Sequence, residues 1–406
     1  MALTSSPTFP KLPRRMGLVV MSLNHRSTKF NHEELVGVKY RWKRLCLSSH
    51  LTTFSYPRLI TLPNSASSPD RFINPESKGT TITVLCGGFG AARFVSGLLP
   101  VGAAESKALC CVVNTADDFD HVGLHVSPDL DTVTYALAGC FDEQRGFGLV
   151  GDTFHCLDAL GRYGDNWFAL GDRDLAQHIE RTALLASGAS LQEVVERIAA
   201  AWGVPATILA MSNDAVRTVV NTGDGELTFQ DFLVRRHAQP AVQAVRYHGI
   251  DGAHPTAGVL EALRSAEVVL IAPSNPVSSI GPILALPGVR ETLQRRDGPT
   301  VALTPVVSSQ PPRTLAERRR FDLRAKLMGS TGRQHRATAV AELYRGLIDG
   351  FVLDIRDAAE LPGIKSLGIE ARLANTLAPA GEGRRALAAS VLGFAAELSG
   401  SRRALG

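Results

Sequence analysis

A strand, a glycine turn and a helix follow one another in Thr81-Ile-Thr-Val-Leu-Cys-Gly-Gly-Phe-Gly-Ala-Ala-Arg-Phe94. The first six residues are an apolar run typical of a buried strand, and Gly87-Gly-Phe-Gly90 permits a tight turn into the helix. Glycines let the backbone approach a ligand closely, and a helix N-terminus offers free N–H groups and a favourable dipole. We therefore expect this turn to hold a phosphate. Arg93, one turn into the helix, either neutralises that phosphate or is a surface residue.

Apolar runs and helical patterns alternate along the rest of the chain. The pattern predicts strands at 108–113, 206–210, 217–221, 232–234, 241–245, 267–272 and 300–304, and helices at 130–138 and 255–265. Between 141 and 205 it predicts helices at 153–162, 174–187 and 190–201, with no convincing strand. This alternation indicates an α/β fold, a doubly wound Rossmann-like parallel sheet, with a helical insertion at about 141–205.

Charge divides the chain into a basic beginning and a mildly acidic remainder. Residues 1–80 carry 12 Lys and Arg against 4 Asp and Glu, and the other residues carry 31 against 35. We expect residues 1–79 to be a disordered extension, a targeting peptide or the product of a mis-assigned start, and residues 80–406 to form the folded domain. The acidic remainder argues against nucleic acid as a partner.

Apolar runs and cysteines restrict the cellular location. No run approaches the roughly 20 apolar residues that span a bilayer, so we expect no membrane association. The six cysteines contain no C-x-x-C pair, and four of them lie in or beside apolar segments. This pattern favours reduced thiols in a cytoplasmic protein over a disulfide framework or a zinc site.

Five aspartates fall within fifteen residues of Asn114-Thr-Ala-Asp-Asp-Phe-Asp-His-Val-Gly-Leu-His-Val-Ser-Pro-Asp-Leu-Asp-Thr132, directly after the strand expected at 108–113. Open α/β sheets bind their ligands at the carboxyl ends of strands. Mg²⁺ prefers a few carboxylates together with water and phosphate oxygens. The cluster as a whole therefore predicts Mg²⁺ and a phosphate, although a turn or helix cap is the commoner explanation for any single aspartate.

A second polar turn, Pro273-Ser-Asn-Pro-Val-Ser-Ser-Ile-Gly-Pro-Ile283, follows the strand expected at 267–272. Its Ser274, Asn275 and Ser279 predict another anion-binding turn or, with equal weight, an ordinary capped helix start.

Trp167 and Phe168 precede Asp172 and Arg173 at a predicted helix start. Aromatic side chains beside polar groups suit a flat heterocycle, although core packing with an N-cap is their commoner use.

Five motifs in order along the chain carry a family resemblance. They are Val84-Leu-Cys-Gly-Gly-Phe-Gly-Ala-Ala-Arg-Phe94; Val113-Asn-Thr-Ala-Asp-Asp-Phe119 with Ser127-Pro-Asp-Leu-Asp-Thr132; Leu170-Gly-Asp-Arg-Asp-Leu175; Ala210-Met-Ser-Asn-Asp-Ala-Val-Arg217; and Pro273-Ser-Asn-Pro-Val-Ser-Ser-Ile-Gly-Pro282. Together they resemble the 2-phospho-L-lactate transferase family, CofD type.

The resemblance implies a transferase of coenzyme F-420 biosynthesis, with residues 80–406 as the transferase domain. Such an enzyme moves a phosphorylated three-carbon acid from its guanosine diphosphate conjugate to the deazaflavin Fo and releases GMP. The acid is 2-phospho-L-lactate, phosphoenolpyruvate or phosphoglycerate, and the sequence leaves this choice open. The expected partners are these small molecules and, as a reasonable assembly, a second copy in a homodimer.

The resemblance also implies roles for individual residues. Asp118 and Asp131 are expected as Mg²⁺ ligands or as the base, with Asp117 as a further catalytic residue. The donor and its phosphates are expected on Gly87, Gly88, Gly90, Arg93, Ser274, Asn275 and Ser279. The acceptor is expected on Trp167, Asp172 and Arg173.

One stretch departs from the family pattern. After Thr304-Pro-Val-Val307 the family continues with a glycine pair and a Lys-Gly-Pro-Ala-like, phosphate-contacting stretch. Here residues 308–320 read Ser-Ser-Gln-Pro-Pro-Arg-Thr-Leu-Ala-Glu-Arg-Arg-Arg. Arg313 and Arg318 are expected to replace the missing charge, or the stretch is a helix with a solvated basic face or a corrupted reading of the gene.

Two other functions compete with the transferase. Related proteins that share the glycine turn and the sheet bind nucleotide sugars and regulate cell-envelope metabolism without transferase activity. A nicotinamide oxidoreductase rests on fold analogy alone, and Arg93 stands where its fingerprint requires glycine.

Overall fold

Twelve strands occur among residues 81–102 and 109–405, which are the residues that the computed structural model describes. They are β1 (Ile82–Cys86), β2 (Leu109–Val113), β3 (Phe119–His121), β4 (Leu124–Val126), β5 (Thr207–Ala210), β6 (Arg217–Thr222), β7 (Gly225–Thr228), β8 (Val242–His248), β9 (Val268–Ile271), β10 (Thr300–Leu303), β11 (Gly350–Asp354) and β12 (Glu370–Ala374). The extension predicted at 1–79 lies outside the described residues.

The α-helices of the same residues are α1 (Gly88–Gly102), α2 (Pro128–Leu137), α3 (His155–Leu160), α4 (Asp172–Ala186), α5 (Leu191–Ala201), α6 (Val259–Ser265), α7 (Ile280–Ala285), α8 (Val289–Arg295), α9 (Leu315–Gly329), α10 (Ala337–Leu343), α11 (Leu361–Lys365) and α12 (Glu382–Leu405). None of these described helices is long and apolar enough to cross a membrane. The cytoplasmic location and the homodimer stay predictions.

Seven strands form one parallel sheet in the order β12-β11-β10-β9-β1-β2-β5. The chain builds the sheet from β1 outward to β5, then returns to the other side of β1 and continues from β9 to β12. The strand order therefore reverses beside β1, and a crevice opens there at the carboxyl ends of the strands. The predicted fold class is confirmed.

Alternate residues of each strand feed two apolar cores, one on each face of the sheet. Val84 packs with the helices α1, α2 and α12, whereas its neighbour Leu85 packs with α6, α7, α8 and α10. A parallel sheet covered on both faces requires strands that are apolar throughout. All five residues of β1 are accordingly buried.

Three runs differ from the sequence expectation. The runs predicted as strands at 217–221 and 241–245 are strands, but they lie in a separate three-stranded antiparallel sheet, in which β6 pairs with β7 on one side and with β8 on the other. The strand predicted at 232–234 is wrong, because Asp231–Arg235 is a short π-helical turn. Its apolar character comes from Phe232, which is buried against Val220 and Leu327.

Helices occupy residues 141–205, in the connection between β2 and β5, as predicted. α3, α4 and α5 lie within residues 141–205, where an isolated bridge between Phe141 and Leu149 is the one β-pairing. A capping box fixes the start of α5, because the Ser190 side chain accepts from the Glu193 backbone and the Glu193 carboxylate accepts from Ser190.

Candidate active site

The two predicted phosphate-binding turns lie side by side at the crevice beside β1. The Gly87 N–H donates to the Ser274 hydroxyl over 3.1 Å. In the second turn, the Asn275 side-chain oxygen accepts from the Val277 and Ser278 backbones, while its Nδ2 is buried without a partner. The structure thus brings together residues that are 187 positions apart in sequence.

Close backbone approach explains two of the glycines. A Cβ atom on Gly87 would lie 2.3 Å from the Asp129 Oδ2 atom, and one on Gly90 would lie 2.0 Å from the Pro273 carbonyl oxygen. Real Cβ atoms do not approach other atoms so closely, so neither position accepts a side chain. The glycine turn therefore packs closely against two neighbours, the polar loop that begins at Pro273 and the N-terminal end of α2.

Asp129 faces the glycine turn from the start of α2. Pro128 at the first helical position fixes where α2 begins. The Asn114 Nδ2 atom, at the end of β2, donates to the Asp129 carboxylate over 2.9 Å. Burial raises the pKa of Asp129 to about 7, repulsion from Asp118 adds to the rise, and the hydrogen bond from Asn114 opposes it. Asp129 is thus a carboxyl group poised near neutral pH.

Asp117 and Asp118 follow β2 and are buried beside Asp129. Burial, followed by the negative charge of Asp129, raises the pKa of Asp117 well above its usual range. Asp118 accepts a hydrogen bond from Ser127 over 2.8 Å. One carboxylate oxygen of Asp117 and one of Asp118 have no hydrogen-bond partner. Buried acids with free oxygens are the chemistry of a cation site.

A chain of side chains connects Asp118 to the surface. The His125 Nε2 atom lies 3.2 Å from an Asp118 oxygen, and the His125 Nδ1 atom lies 3.4 Å from an oxygen of Asp120. The Asp120 side chain is 79% exposed. The β3–β4 hairpin positions this connection, since Asp120 and His125 are directly paired across it.

Asp131 points away from the two turns and into the helical insertion. Its carboxylate forms a buried ion pair with Arg181 and accepts from Gln177, both on α4. Its donor atoms lie within 4.8 Å of those of Asp174 and His178, so this buried group could also hold a metal ion. The Arg181 guanidinium already supplies a positive charge to it, because it contacts Asp131 and His178 Nδ1.

A cavity of about 400 Å³ opens at the glycine turn. All seven predicted donor residues line it, together with Asp117 and Asp129: Gly87, Gly88, Gly90, Arg93, Ser274, Asn275 and Ser279. Arg93 also donates to the Ala378 carbonyl oxygen over 2.9 Å.

Residues 308–320, which depart from the family pattern, contribute to this cavity through a different arginine from those predicted. Residues 308–314 form an irregular segment, and a capping box between Thr314 and Glu317 begins α9. Arg313 and Arg318, the predicted replacements, are exposed and do not line the cavity; Arg320 and Arg324 of α9 do. The helical interpretation is thus correct for the second part of the stretch, and part of its basic face is turned inward.

A second cavity of about 430 Å³ lies on the other side of Asp117. Its wall includes the aromatic groups of Trp167, His121 and Phe119, with Trp167 edge-on to His121 at 5.2 Å between ring centroids. Asp117 and Phe229 line both cavities. The two spaces therefore meet at a buried carboxylate.

The predicted acceptor residues do not all lie together. Asp172 binds Thr153 and the backbone N–H groups of His155 and Cys156, so it caps the start of α3. Arg173 donates to the Val150 carbonyl oxygen over 3.3 Å. Trp167 lines the second cavity, whereas Asp172 and Arg173 line neither cavity.

Sequence reasoning did not select Asn114, Asp129, Arg320 or Arg324. A signal existed for Asp129, because Ser127-Pro-Asp places it directly after a helix-starting proline. The capping box signal Thr314-Leu-Ala-Glu317 would have placed the start of α9. No local pattern could have shown which faces of α2 and α9 meet the glycine turn.

The fold is α/β, and the two turns and the buried carboxylates lie where the strand order reverses, which is where such folds bind their ligands. The chain belongs to the 2-phospho-L-lactate transferase family, since the family description "2-phospho-L-lactate transferase CofD" matches residues 82–363. The protein is therefore a transferase that acts on small molecules.

Curated relatives support this assignment over nearly their whole length. The chain is 40% identical over 324 residues to a phosphoenolpyruvate transferase of Streptomyces griseus, covering 78% of this chain and 99% of the relative. It is 39% identical over 312 residues to a 2-phospho-L-lactate transferase of Methanosarcina acetivorans, covering 77% and 98%.

Among solved structures, the fold matches a UPF0052 family protein of Bacillus halodurans. The TM-score is 0.52 at 15% identity, over 78% of this chain and 99% of that chain. At this identity the likeness establishes the shared fold alone.

Proposed function

We propose that this protein transfers a phosphorylated three-carbon acid from its guanosine diphosphate conjugate to a hydroxyl group of the deazaflavin Fo, releasing GMP. One observation carries the proposal. A phosphate-type cavity and an aromatic cavity meet at Asp117, so a donor and an acceptor can approach each other at a buried carboxylate.

The donor belongs in the cavity at the glycine turn. Gly87, Gly88 and Gly90 offer backbone to a phosphate at the N-terminus of α1. Ser274, Asn275 and Ser279 supply the facing turn, and the unpartnered Asn275 Nδ2 is a donor available to a phosphate oxygen. Arg93 adds positive charge from the side.

The acceptor belongs in the aromatic cavity. A deazaflavin is flat and apolar on its faces, and Trp167 with Phe119 and His121 offers rings against which such a system stacks. Asp172 and Arg173 support the neighbouring helix starts in this proposal and do not touch the acceptor.

Mg²⁺ fits the carboxylates between the cavities. We assign it to Asp117 and Asp129, because both line the donor cavity and an oxygen of Asp117 lacks a hydrogen-bond partner. The pKa values of both carboxyl groups are raised, and a bound cation would lower them again. Asp131 is already neutralised by Arg181. The ion, when bound, would neutralise negative charge on the phosphates.

Asp118 is the base in this scheme. The hydroxyl oxygen of the acceptor forms a bond to the phosphorus that carries the three-carbon acid, and the bond from that phosphorus to the bridging oxygen breaks, so GMP leaves with that oxygen. The hydroxyl proton passes to the free oxygen of Asp118. The connection through His125 to the exposed Asp120 then returns the proton to solvent.

The test is mass spectrometry of the products after incubation with Fo, Mg²⁺ and each of three guanylated acids: 2-phospho-L-lactate, phosphoenolpyruvate and phosphoglycerate. We expect a phosphodiester-linked deazaflavin and an equal amount of GMP with at least one donor. Asp118→Asn should lose the product, whereas the exposed Asp251→Asn should retain it. Absence of product from wild-type protein that binds GDP would contradict the proposal, and nucleotide-sugar binding without turnover would favour the regulatory alternative.

A further inference from the structure

We propose that Arg320 and Arg324 form an anion-binding pair of this chain that grips the oxyanions of the guanylated donor. The inference rests on the proposed function, because it concerns the same donor cavity. It assigns donor recognition to α9, a helix that begins inside the stretch where the chain departs from its family.

Position on α9 brings the two guanidinium groups together. Residues four apart lie on the same helix face one turn apart, and both side chains line the cavity that contains the glycine turn. Arg320 lies over the ring of Phe89, a residue of the glycine turn, at 4.8 Å from its centroid. The pair therefore stands opposite the turn that is built for a phosphate.

Among the described residues, no carboxylate lies within ion-pair distance of Arg320 or Arg324. Glu317 attracts Arg320 from a longer distance. Glu317, the acid of the same helix that reaches the cavity, is engaged by the Arg313 and Thr314 backbone N–H groups at the helix start. Arg384, which lines the same cavity, differs in this respect, since it is paired with Glu143.

Burial makes this arrangement costly unless an anion enters. Burial, then the charge of Arg320, lowers the pKa of Arg324 to about 10, and burial lowers the pKa of Arg320. Both shifts reflect burial in a partly dry cavity, and the shift at Arg324 also reflects a positive charge held close to another. An oxyanion between the two guanidinium groups would remove the repulsion and accept forked hydrogen bonds.

His335 also orients the side chain of Arg324. Its Nε atom lies 3.5 Å from the His335 Nε2 atom. His335 is fixed edge-on against Phe321 at 4.3 Å between ring centroids. Burial lowers the pKa of His335 to about 4, so the ring is neutral at pH 7 and adds no third charge.

The donor offers two kinds of oxyanion, the diphosphate and the carboxylate of the acid. The test is isothermal titration of the full chain with GDP and, separately, with guanylated 2-phospho-L-lactate. The variants are Arg320→Gln and Arg324→Gln, and the matched control is Arg318→Gln, which removes the same charge from the exposed face of the same helix.

We expect the two inward variants to weaken binding by on the order of ten- to a hundredfold, the size of a lost charge-assisted contact. The control should change it by about twofold or less, because exposed charges are screened. Equal weakening for both ligands assigns the pair to the diphosphate, and weakening for the guanylated acid alone assigns it to the carboxylate. Unchanged affinity for both ligands, in variants whose thermal unfolding matches wild type, overturns the proposal.

This experiment separates the inference from the proposed function. Titration requires no turnover, so a protein that binds GDP through the arginine pair but forms no deazaflavin product would retain the pair and lose the transferase assignment. Conversely, if wild-type protein forms the product and the arginine variants bind both ligands with unchanged affinity, the transferase assignment stands and the arginine pair is rejected. Arg324→Lys adds a second check, since it keeps the charge without the fork and should bind with intermediate affinity.

Discussion

At the residue scale, the buried Asp129 carboxylate of the candidate site is expected to destabilise the folded protein once it is ionised. Its pKa is about 7 in the folded protein, against about 4 in an unfolded chain. The folded state therefore binds the proton more tightly, and its stability falls as the pH rises from about 4 to about 7. We expect Asp129→Asn to be more stable than wild type at pH 8, by on the order of 3–4 kcal/mol, with the difference shrinking toward pH 4.

Urea unfolding at several pH values measures this effect, with the exposed Asp251→Asn as the control. A difference that does not vary with pH would show that the shifted ionisation of Asp129 is not its cause. Added Mg²⁺ should raise the unfolding temperature of wild type at pH 8 and leave that of Asp129→Asn nearly unchanged, because a ligand stabilises only the state that binds it.

Asp131, two residues further along α2, should behave in the opposite way. Asp131→Asn removes the counter-charge of Arg181, and the Arg181 side chain is only 2% exposed. Breaking a buried ion pair in this manner costs about 3–5 kcal/mol. We expect urea unfolding to show that loss, and the double variant Asp131→Asn with Arg181→Met to recover part of it. Wild-type stability in the single variant would contradict the ion pair.

These two aspartates also show why the site was only partly predictable. The cluster after β2 was evident in the sequence, because five aspartates within fifteen residues after an apolar run are more than turns and helix caps require. Successive residues of a helix differ by about 100° around its axis, so Asp129 and Asp131 point to different neighbours. Which of them meets the glycine turn depends on how α2 packs, and no local pattern contains that information.

At the element scale, local patterns predicted elements better than pairings. β1, its glycine turn and α1 follow from residues adjacent in sequence. β6 and β8 have strand propensity, but propensity does not specify a partner. They pair with each other, and β6 also pairs with β7, instead of joining the parallel sheet. The run at 232–234 was too short for its period to separate a strand from a buried helical turn.

The segment that carries Trp167 packs against the β3–β4 hairpin and supports a prediction about the acceptor. Arg235 lies over the Trp167 ring at 5.5 Å from its centroid. Removing one stacking ring costs about 1–3 kcal/mol in comparable sites. We expect Trp167→Ala to weaken Fo binding by about ten- to a hundredfold, as measured by fluorescence titration of Fo.

GDP binding provides the internal comparison for this variant, because Trp167 does not line the donor cavity. The matched control is Tyr163→Ala, an aromatic residue of the same insertion that is 82% exposed. Equal losses of Fo and GDP binding would indicate general disruption of the insertion and not a stacking contact.

At the scale of the whole molecule, the order of strands predicts where the protein can be shortened. The family match begins at residue 82, and β1 lies between β2 and β9 in the interior of the sheet. We expect a chain beginning at Lys78 to transfer at a rate within about twofold of the full chain, because every element of the described site lies after that point. A chain beginning at Ala91 should not fold, since it lacks β1 and the glycine turn.

Parallel rate assays and circular dichroism of the two shortened chains measure this outcome. Loss of transfer in the first chain, with its secondary structure retained, would assign the preceding residues a direct part in the reaction. That outcome would also contradict the predicted domain boundary at residue 80, which stays a prediction.

The shared wall of the two cavities has a consequence for the order of events during turnover. Asp117 and Phe229 line both spaces, so each substrate can enter while the other is already seated, and no group of the protein needs to carry the phosphate between them. Initial-rate plots should therefore intersect, and GMP should compete with the donor but not with Fo. Labelled GMP should not exchange into the donor until Fo is added; exchange without Fo would mean that the protein itself becomes phosphorylated on the way.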